Sequence, residues 1–236
     1  MRNTFSKICI AVAAILSFCG CANLYQPQLA DVPLIDHKGD VRLSMQGNLF
    51  HNAGLQATIT SGLTNHLSVQ VHSNLQLNNC YYGHLAMGFF FPINEHMVFE
   101  TYFGCGQGYG EKKDVDHSFK TSGTFTLPFL QCNLGLTNLT KAHIDLGASL
   151  KGGVLVPDFH IVYSDNTPTH HYMQGNWLIE PQLFFRIGGE HIKYNLQLGF
   201  CWLNDMRDYQ DPHFGWGFHT ITYTPISLSM GVSFYF

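Results

Sequence analysis

Ile192-Lys193-Tyr194-Asn195-Leu196-Gln197-Leu198-Gly199-Phe200-Cys201-Trp202 alternates without a break: Ile192, Tyr194, Leu196, Leu198, Phe200 and Trp202 share one parity, and Lys193, Asn195, Gln197 and Gly199 the other. Successive side chains of a β-strand point to opposite faces, so this run builds a strand with one apolar and one polar face. The same rhythm recurs upstream, where Leu67, Val69, Val71, Leu75 and Leu77 face away from Ser68, Gln70, His72, Asn74 and Gln76. It recurs again at the C-terminus, where Ile226, Leu228, Met230, Val232, Phe234 and Phe236 alternate with Ser227, Ser229, Gly231, Ser233 and Tyr235. From Asp40 onward the pattern predicts strands near 40–50, 53–63, 66–78, 80–92, 96–108, 119–137, 142–156, 176–188, 191–203 and 219–236.

What the two faces meet follows from composition. Charged residues are 12% of the 236-residue chain, aromatics 14%, and glycines number 23, while mean hydropathy is close to zero. The charged share is about half that of an ordinary soluble domain. A barrel in lipid needs an apolar outside and a polar, largely uncharged inside, which is this composition. Apart from Ile8 to Phe18, no apolar run approaches the ~20 residues of a membrane helix, so any crossing is by strands. The expected fold class is all-β: a closed antiparallel transmembrane β-barrel of about ten strands. Link lengths agree with it in the second half of the chain, while the first two outside connections, near His51-Asn52 and Asn78-Asn79, read as tight turns. Short links fall at Thr64-Asn65, Pro92 to Glu95, Asn138 to Lys141 and Gly188 to Glu190, and long polar ones at Gly108 to Ser118, Pro157 to Gly175 and Asn204 to His219. Outer-membrane barrels have short periplasmic turns and long outer loops, and an even strand number puts both termini on the periplasmic side. Slips of the apolar parity at Pro128 and near Pro225 predict bulges, because proline cannot donate to a ladder.

Ahead of the strands, Arg2 and Lys7 precede the apolar Ile8 to Phe18, the pattern of an export signal. Phe18-Cys19-Gly20-Cys21-Ala22-Asn23 resembles a lipoprotein signal, with small Gly20 before Cys21; the resemblance implies lipid attachment at Cys21. The chain thus divides into a signal at 1–20, a periplasmic tether at 21–39 and a barrel at 40–236. Cys80, Cys105, Cys132 and Cys201 remain in the mature part without metal-type spacing and read as small apolar side chains.

Inward charge is scarce, which makes its placement informative. Asp145 and Lys151 lie six residues apart on one strand, and Glu180 and Arg186 six apart on the next. A single antiparallel register therefore sets Asp145 opposite Arg186 and Lys151 opposite Glu180. Lys193 is expected beside Arg186 across the Gly188-Gly189 turn, with Asp145 relieving their repulsion. Glu100 and Arg42 complete a lumen charge network, expected to plug the barrel rather than line a conduction path.

Chemistry-bearing motifs are weak. His117, His160, His170, His171, His213 and His219 fall in or beside outer loops, but adjacent His170 and His171 cannot share a strand face, so no metal or other cofactor is expected. Omptin proteases also use ten strands and pair aspartates with an aspartate-histidine couple; Asp114, Asp116 and His117, with Asp208, Asp211 and His213, resemble that set in composition only. Barrel lipid A deacylases place histidine and serine on one face, whereas His72 and Ser73 are adjacent and point apart. Gly104-x-Gly106-x-Gly108 ends a strand without a following helix, so it reads as room for a bend at the rim and not as a phosphate loop. A net charge of −4 leaves no basic surface for nucleic acid.

As a whole the chain resembles small outer-membrane barrel lipoproteins, through Tyr25-x-Pro27, Val32-Pro33-Leu34, Gly39-Asp40 and the terminal Phe236. That resemblance implies an architecture, outer-membrane lipid as surroundings, and assembly by the barrel insertion machinery reading Phe236. It implies no reaction. The functional expectation is a non-enzymatic structural or partner-binding component, with another outer-membrane protein as partner. A narrow solute channel and a loop-based hydrolase or metal or haem binder are the alternatives.

Overall fold

A computed structural model describes residue 25 and residues 31–48, 54–76, 79–113, 119–163, 170–173, 175–204 and 225–236. The strands are β1 Val41–Asn48, β2 Gly54–Gly62, β3 Leu67–Gln76, β4 Cys80–Asn94, β5 Met97–Lys113, β6 Phe119–Leu136, β7 Asp145–Tyr163, β8 His170–Tyr172, β9 Asn176–Gly188, β10 Ile192–Phe200, β11 Trp202–Leu203 and β12 Ile226–Tyr235. Short β8 and β9 pair with β7 in one register, and β11 continues the register of β10 on β9. The wall is therefore ten long antiparallel strands. It closes because β12 pairs with β1, from Arg42 opposite Tyr235 to Asn48 opposite Ser229. Closure leaves no edge, which is the condition for a sheet to exist in hydrocarbon.

The alternation read in the sequence is the wall's chemistry. Val71 and Leu196 are 48% and 44% exposed, so neither is packed in a two-sheet core. Around them Leu55, Leu85, Phe103, Leu130, Leu183 and Tyr194 form a continuous outward apolar band. Soluble monomers rarely expose apolar patches beyond a few hundred Å². The alternate residues, Ser44, Thr58, Gln70, Asn133, Gln182 and Asn195 among them, are buried inside.

Two expectations need correction. The strand through Pro128 carries no bulge: β6 and β7 keep one register on both sides of it, and Phe125, Leu127 and Phe129 point inward as buried side chains. The apparent slip is a change in what the inside contains, from apolar at one end to polar at Gln131 and Asn133. The expected slip at Pro225 borders residues 205–224, outside the described residues. The glycines of β5 serve packing. A Cβ on Gly106 would lie 2.2 Å from the Tyr82 hydroxyl and one on Gly108 2.2 Å from the Phe125 ring, so they leave space for rings from the neighbouring strands. Finally, β5, β6 and β7 run 17, 18 and 19 residues, absorbing parts of the expected loops at Gly108 to Ser118 and Pro157 to Gly175. About ten residues cross a bilayer, so these three strands are longer than a crossing needs and form a tall wall at the end away from the short links.

Candidate functional site: a filled lumen

Of the residues expected as a periplasmic tether, Asp31 to Ile35 lie inside the barrel. Asp31, Val32, Leu34 and Ile35 are all 2% exposed or less, surrounded by the wall. A buried backbone must satisfy its polar groups, and here the wall does so. The Asp31 carbonyl accepts from Gln131 Nε2 at 3.1 Å and lies 3.5 Å from Gln70 Nε2. The Val32 carbonyl accepts from Arg186, the Pro33 carbonyl from Arg42, and the Ile35 amide donates to Glu100 Oε1 at 2.7 Å. Strands β1, β3, β5, β6 and β9 all hold the segment. Two wall glycines make the seat: a Cβ on Gly135 would fall 2.4 Å from Leu34 Cδ2, and one on Gly62 2.5 Å from the His37 carbonyl oxygen. The chain turns from lumen to wall at Gly39, whose φ of +88° is open to glycine and strained for other residues. Its amide donates to the Gly62 carbonyl at 2.8 Å, fixing the turn at the short-link end.

All the charges assigned to the lumen are buried there, none more than 8% exposed. Asp145 stands opposite Arg186, and Lys151 opposite Glu180, along one register. Lys151 Nζ lies 3.3 Å from Glu180 Oε2. Asp145 takes its ion pair from Lys193 at 2.6 Å and accepts from the Tyr235 hydroxyl at 3.3 Å, rather than binding Arg186. Arg186 turns to the inserted segment, with Nη2 3.6 Å from Asp31 Oδ1. Glu100 accepts from the Asn133 amide at 3.0 Å as well as from Ile35. Arg42 binds Asp40 at 2.8 Å. Phe236 extends the closing seam, its amide donating to the Val41 carbonyl at 3.0 Å. Cys21 lies outside the described residues, as do Asp114, Asp116, His117, Asp208, Asp211 and His213.

Reading the charges alone missed Asp31 and Tyr25. A signal was present: Asp40 takes Arg42, Glu180 takes Lys151 and Asp145 takes Lys193, which leaves Arg186 without an ion-pair partner on the wall, and an unmatched buried cation costs several kcal/mol. Asp31 meets that deficit from outside the strand pattern, with Ser44 Oγ donating to it at 2.8 Å.

Toward the long-loop end the lumen is apolar. Tyr25, Tyr82, Phe125, Leu127, Leu155, Phe159, Leu178, Cys201 and Leu203 form one buried cluster. Tyr25 stacks edge-on to Phe125 with centroids 5.5 Å apart, and its hydroxyl donates to Glu180 Oε1 at 2.9 Å. Beside it, His72 and His84 stack at 4.7 Å between Thr58 and Gln70, which bond them. At the short-link mouth a cavity of about 420 Å³ is lined by Asp36, His37, Asp40, Arg42, His143 and Lys193 among others. Ligand atoms of Asp36, His37 and Asp40 gather there within 4.8 Å, but Arg42 already engages Asp40, so this is a salted rim and no cation cage.

No family model matches the chain, and no curated protein matches it by sequence. Solved structures do. The outer-membrane protease OmpT from Escherichia coli superposes with a TM-score of 0.59 at 8% identity, over 89% of this chain and 99% of the other. The KdgM porin gives 0.40 at 9% identity, over 84% and 99% of the two chains. The translocator domain of the autotransporter NalP from Neisseria meningitidis gives 0.43 at 12%, over 85% and 90%. At such identities a likeness carries architecture and not chemistry, and only the first superposes well enough to carry even that. The chain has the closed ten-stranded antiparallel fold of an outer-membrane β-barrel.

Proposed function

We propose that this protein is a non-enzymatic outer-membrane barrel whose lumen is sealed by its own N-terminal segment, and that it serves as a membrane-held support offering its outer loops and tall β5 to β7 wall to a partner, another outer-membrane protein. The observation that carries the reading is the burial of Asp31 to Ile35 inside the barrel, with their backbone groups bonded to five wall strands. Ordering that segment costs about 1–2 kcal/mol per residue, so bonds of this number hold it only if seated, not transient, occupancy is the native state. A lumen filled with peptide, paired charges and stacked rings is a poor path for solutes. The apolar outer band supports residence in lipid, and the phenylalanine at the closing seam supports assembly by the barrel insertion machinery.

Planar-bilayer recording tests it. The full chain should give no steady conductance, whereas a chain lacking residues 31–36 should open. Equal conductance from the two would sink the sealed-barrel reading and restore the channel.

A further inference from the structure

The short-link mouth repeats one residue. Among the described residues, every segment that closes this end carries a histidine: His37 ahead of β1, His66 between β2 and β3, His96 between β4 and β5, His143 between β6 and β7, and His191 between β9 and β10. Four are exposed and His143 is half-buried.

The rings are built into the rim. His66 Nδ1 donates to the Phe90 carbonyl at 3.3 Å, while the His66 carbonyl accepts from the Phe90 amide at 3.0 Å. His96 repeats the clasp on Thr137, at 3.1 Å and 2.7 Å. His143 Nδ1 lies 3.3 Å from Asn138 Oδ1 within its own turn. A carbonyl only accepts, so at His66 and His96 the hydrogen sits on Nδ1, and Nε2 is the nitrogen left to take a proton or meet a ligand.

Their depth follows from the apolar band. Leu63, Ile93, Leu139 and Ile192 are exposed apolar side chains within four residues of His66, His96, His143 and His191. The His66 ring stacks on Phe91, itself part of the band, with centroids 5.8 Å apart. At ~3.3 Å per residue the rings lie within about 13 Å of chain from a lipid-facing side chain, and turns shorten that distance. Headgroups begin there, in a layer of about 5–8 Å on each side of the hydrocarbon.

Charge at this mouth is nearly balanced. Arg42 is paired with Asp40 and Lys193 with Asp145, and Tyr235 lies against both cations. Asp36, Glu95 and Glu190 then stand against Lys38 and Lys141, with Asp36 in contact with His37. Neutral imidazoles leave the face slightly anionic. Imidazoliums make it cationic.

We propose that this histidine collar binds the phosphate groups of phospholipid headgroups in the leaflet at the short-link end, weakly when its rings are neutral and strongly when they are protonated. An imidazolium Nε2 donates a charge-assisted hydrogen bond to phosphate, which a neutral ring with Nδ1 already engaged does not. The proposal needs the barrel to lie in lipid and is independent of whether its lumen is sealed.

The full chain is refolded into phosphatidylcholine vesicles, and its association with spin-labelled phosphatidylglycerol and spin-labelled phosphatidylcholine is compared from about pH 7.5 to about pH 5, the range in which imidazole changes charge. The expected result is near-equal association at the upper end and, at the lower, a preference for phosphatidylglycerol of about fivefold at each contacted headgroup. Replacing His66, His96, His143 and His191 together by glutamine, which keeps a donor for the Phe90 and Thr137 carbonyls, should flatten the profile in protein that still shows a heat-modifiable band. As His66 and His96 also clasp the next hairpin, His143→Gln with His191→Gln is measured too and should cut the acid gain. Equal association of the two lipids at the lower end overturns the proposal, whether or not an acidic protein binds the rim. An acid gain that both variants keep would arise from titrating groups elsewhere on the chain, and overturns it as well.

Discussion

Replacing Asp31 by asparagine keeps the side-chain volume and removes one charge from the centre of the lumen. Asp31 and Arg186 are 98% buried or more, and their charged atoms lie 3.6 Å apart. At an effective dielectric of about 20 their attraction is roughly 4–5 kcal/mol. Part of it is offset, because Arg186 keeps the Tyr235 hydroxyl at 3.4 Å and the neutral side chain is easier to bury. The expected net loss is about 2–3 kcal/mol. The wall keeps its own ladders, so the loss falls on docking of the segment and raises the undocked fraction by about one and a half to two orders of magnitude. Single-channel recording reads this directly, as rare openings becoming frequent. The double variant Asp31→Leu with Arg186→Met should return toward wild type, since a buried pair replaced by apolar groups is often neutral while half a pair is not. Additive effects of the two single changes, or an Asp31→Asn protein as closed as wild type, would refute the reasoning.

Gly135→Ala should unseat Leu34 through the 2.4 Å contact of its Cβ, costing about 1–3 kcal/mol of docking and opening the barrel without lowering its yield of folded protein. Tyr25→Phe leaves the ring on Phe125 and removes the hydroxyl from Glu180, which should cost about 1–2 kcal/mol, read as faster proteolysis of the segment in folded protein. Leu196→Arg on the outer face should lower folding stability in lipid vesicles by about 2–4 kcal/mol, while the same change at a solvated turn residue such as Glu190 should be near neutral. Deleting Phe236 removes the backbone pair with Val41 at the seam, and should reduce the heat-modifiable barrel seen on gels.

The wall was legible because strand alternation is a local signal, and in lipid the two faces differ by solvent rather than by depth of burial. Asp145, Lys151, Glu180 and Arg186 even carried long-range register, since a buried charge tolerates few neighbours. Pro128 misled for an instructive reason. Parity analysis takes apolar residues as lipid-facing, and Phe125, Leu127 and Phe129 are apolar and inside. The inserted segment was illegible for a different one. Its grip lies in the carbonyls of Asp31, Val32 and Pro33, and a backbone acceptor leaves no mark on composition or period. Tyr25-x-Pro27 and Val32-Pro33-Leu34 were visible as words, without the lumen that gives them meaning.

Two devices fill the barrel, and they divide the space between them. On β4 to β7 the wall fills itself: Tyr82, Tyr102, Phe125 and Phe129 lie over glycines or alanine of the adjacent strands, with Gly88 leaving room for Tyr102 and Gly104 for Phe129. On β12, β1 and β2 several inward side chains are small and polar, Ser229, Ser233, Ser44, Thr58 and Thr60, and leave room beside the longer Arg42, Gln46 and Gln56. The inserted segment takes up that difference, with Asp31 on Ser44 and Arg42 on Pro33. A wall evolved as an open channel has no use for glycines shaped to Leu34 and Ile35, nor for a buried cation, Arg186, whose counter-charge arrives on another part of the chain. Removing the segment should therefore leave a groove on the β12 to β2 side, lined by hydroxyls and the Arg42–Asp40 pair. The buried charges left behind then balance, Arg42, Lys151, Arg186 and Lys193 against Asp40, Glu100, Asp145 and Glu180, so the conductance it opens should discriminate little between anions and cations, and a strong preference for either sign would mean that charges outside this set govern the opening.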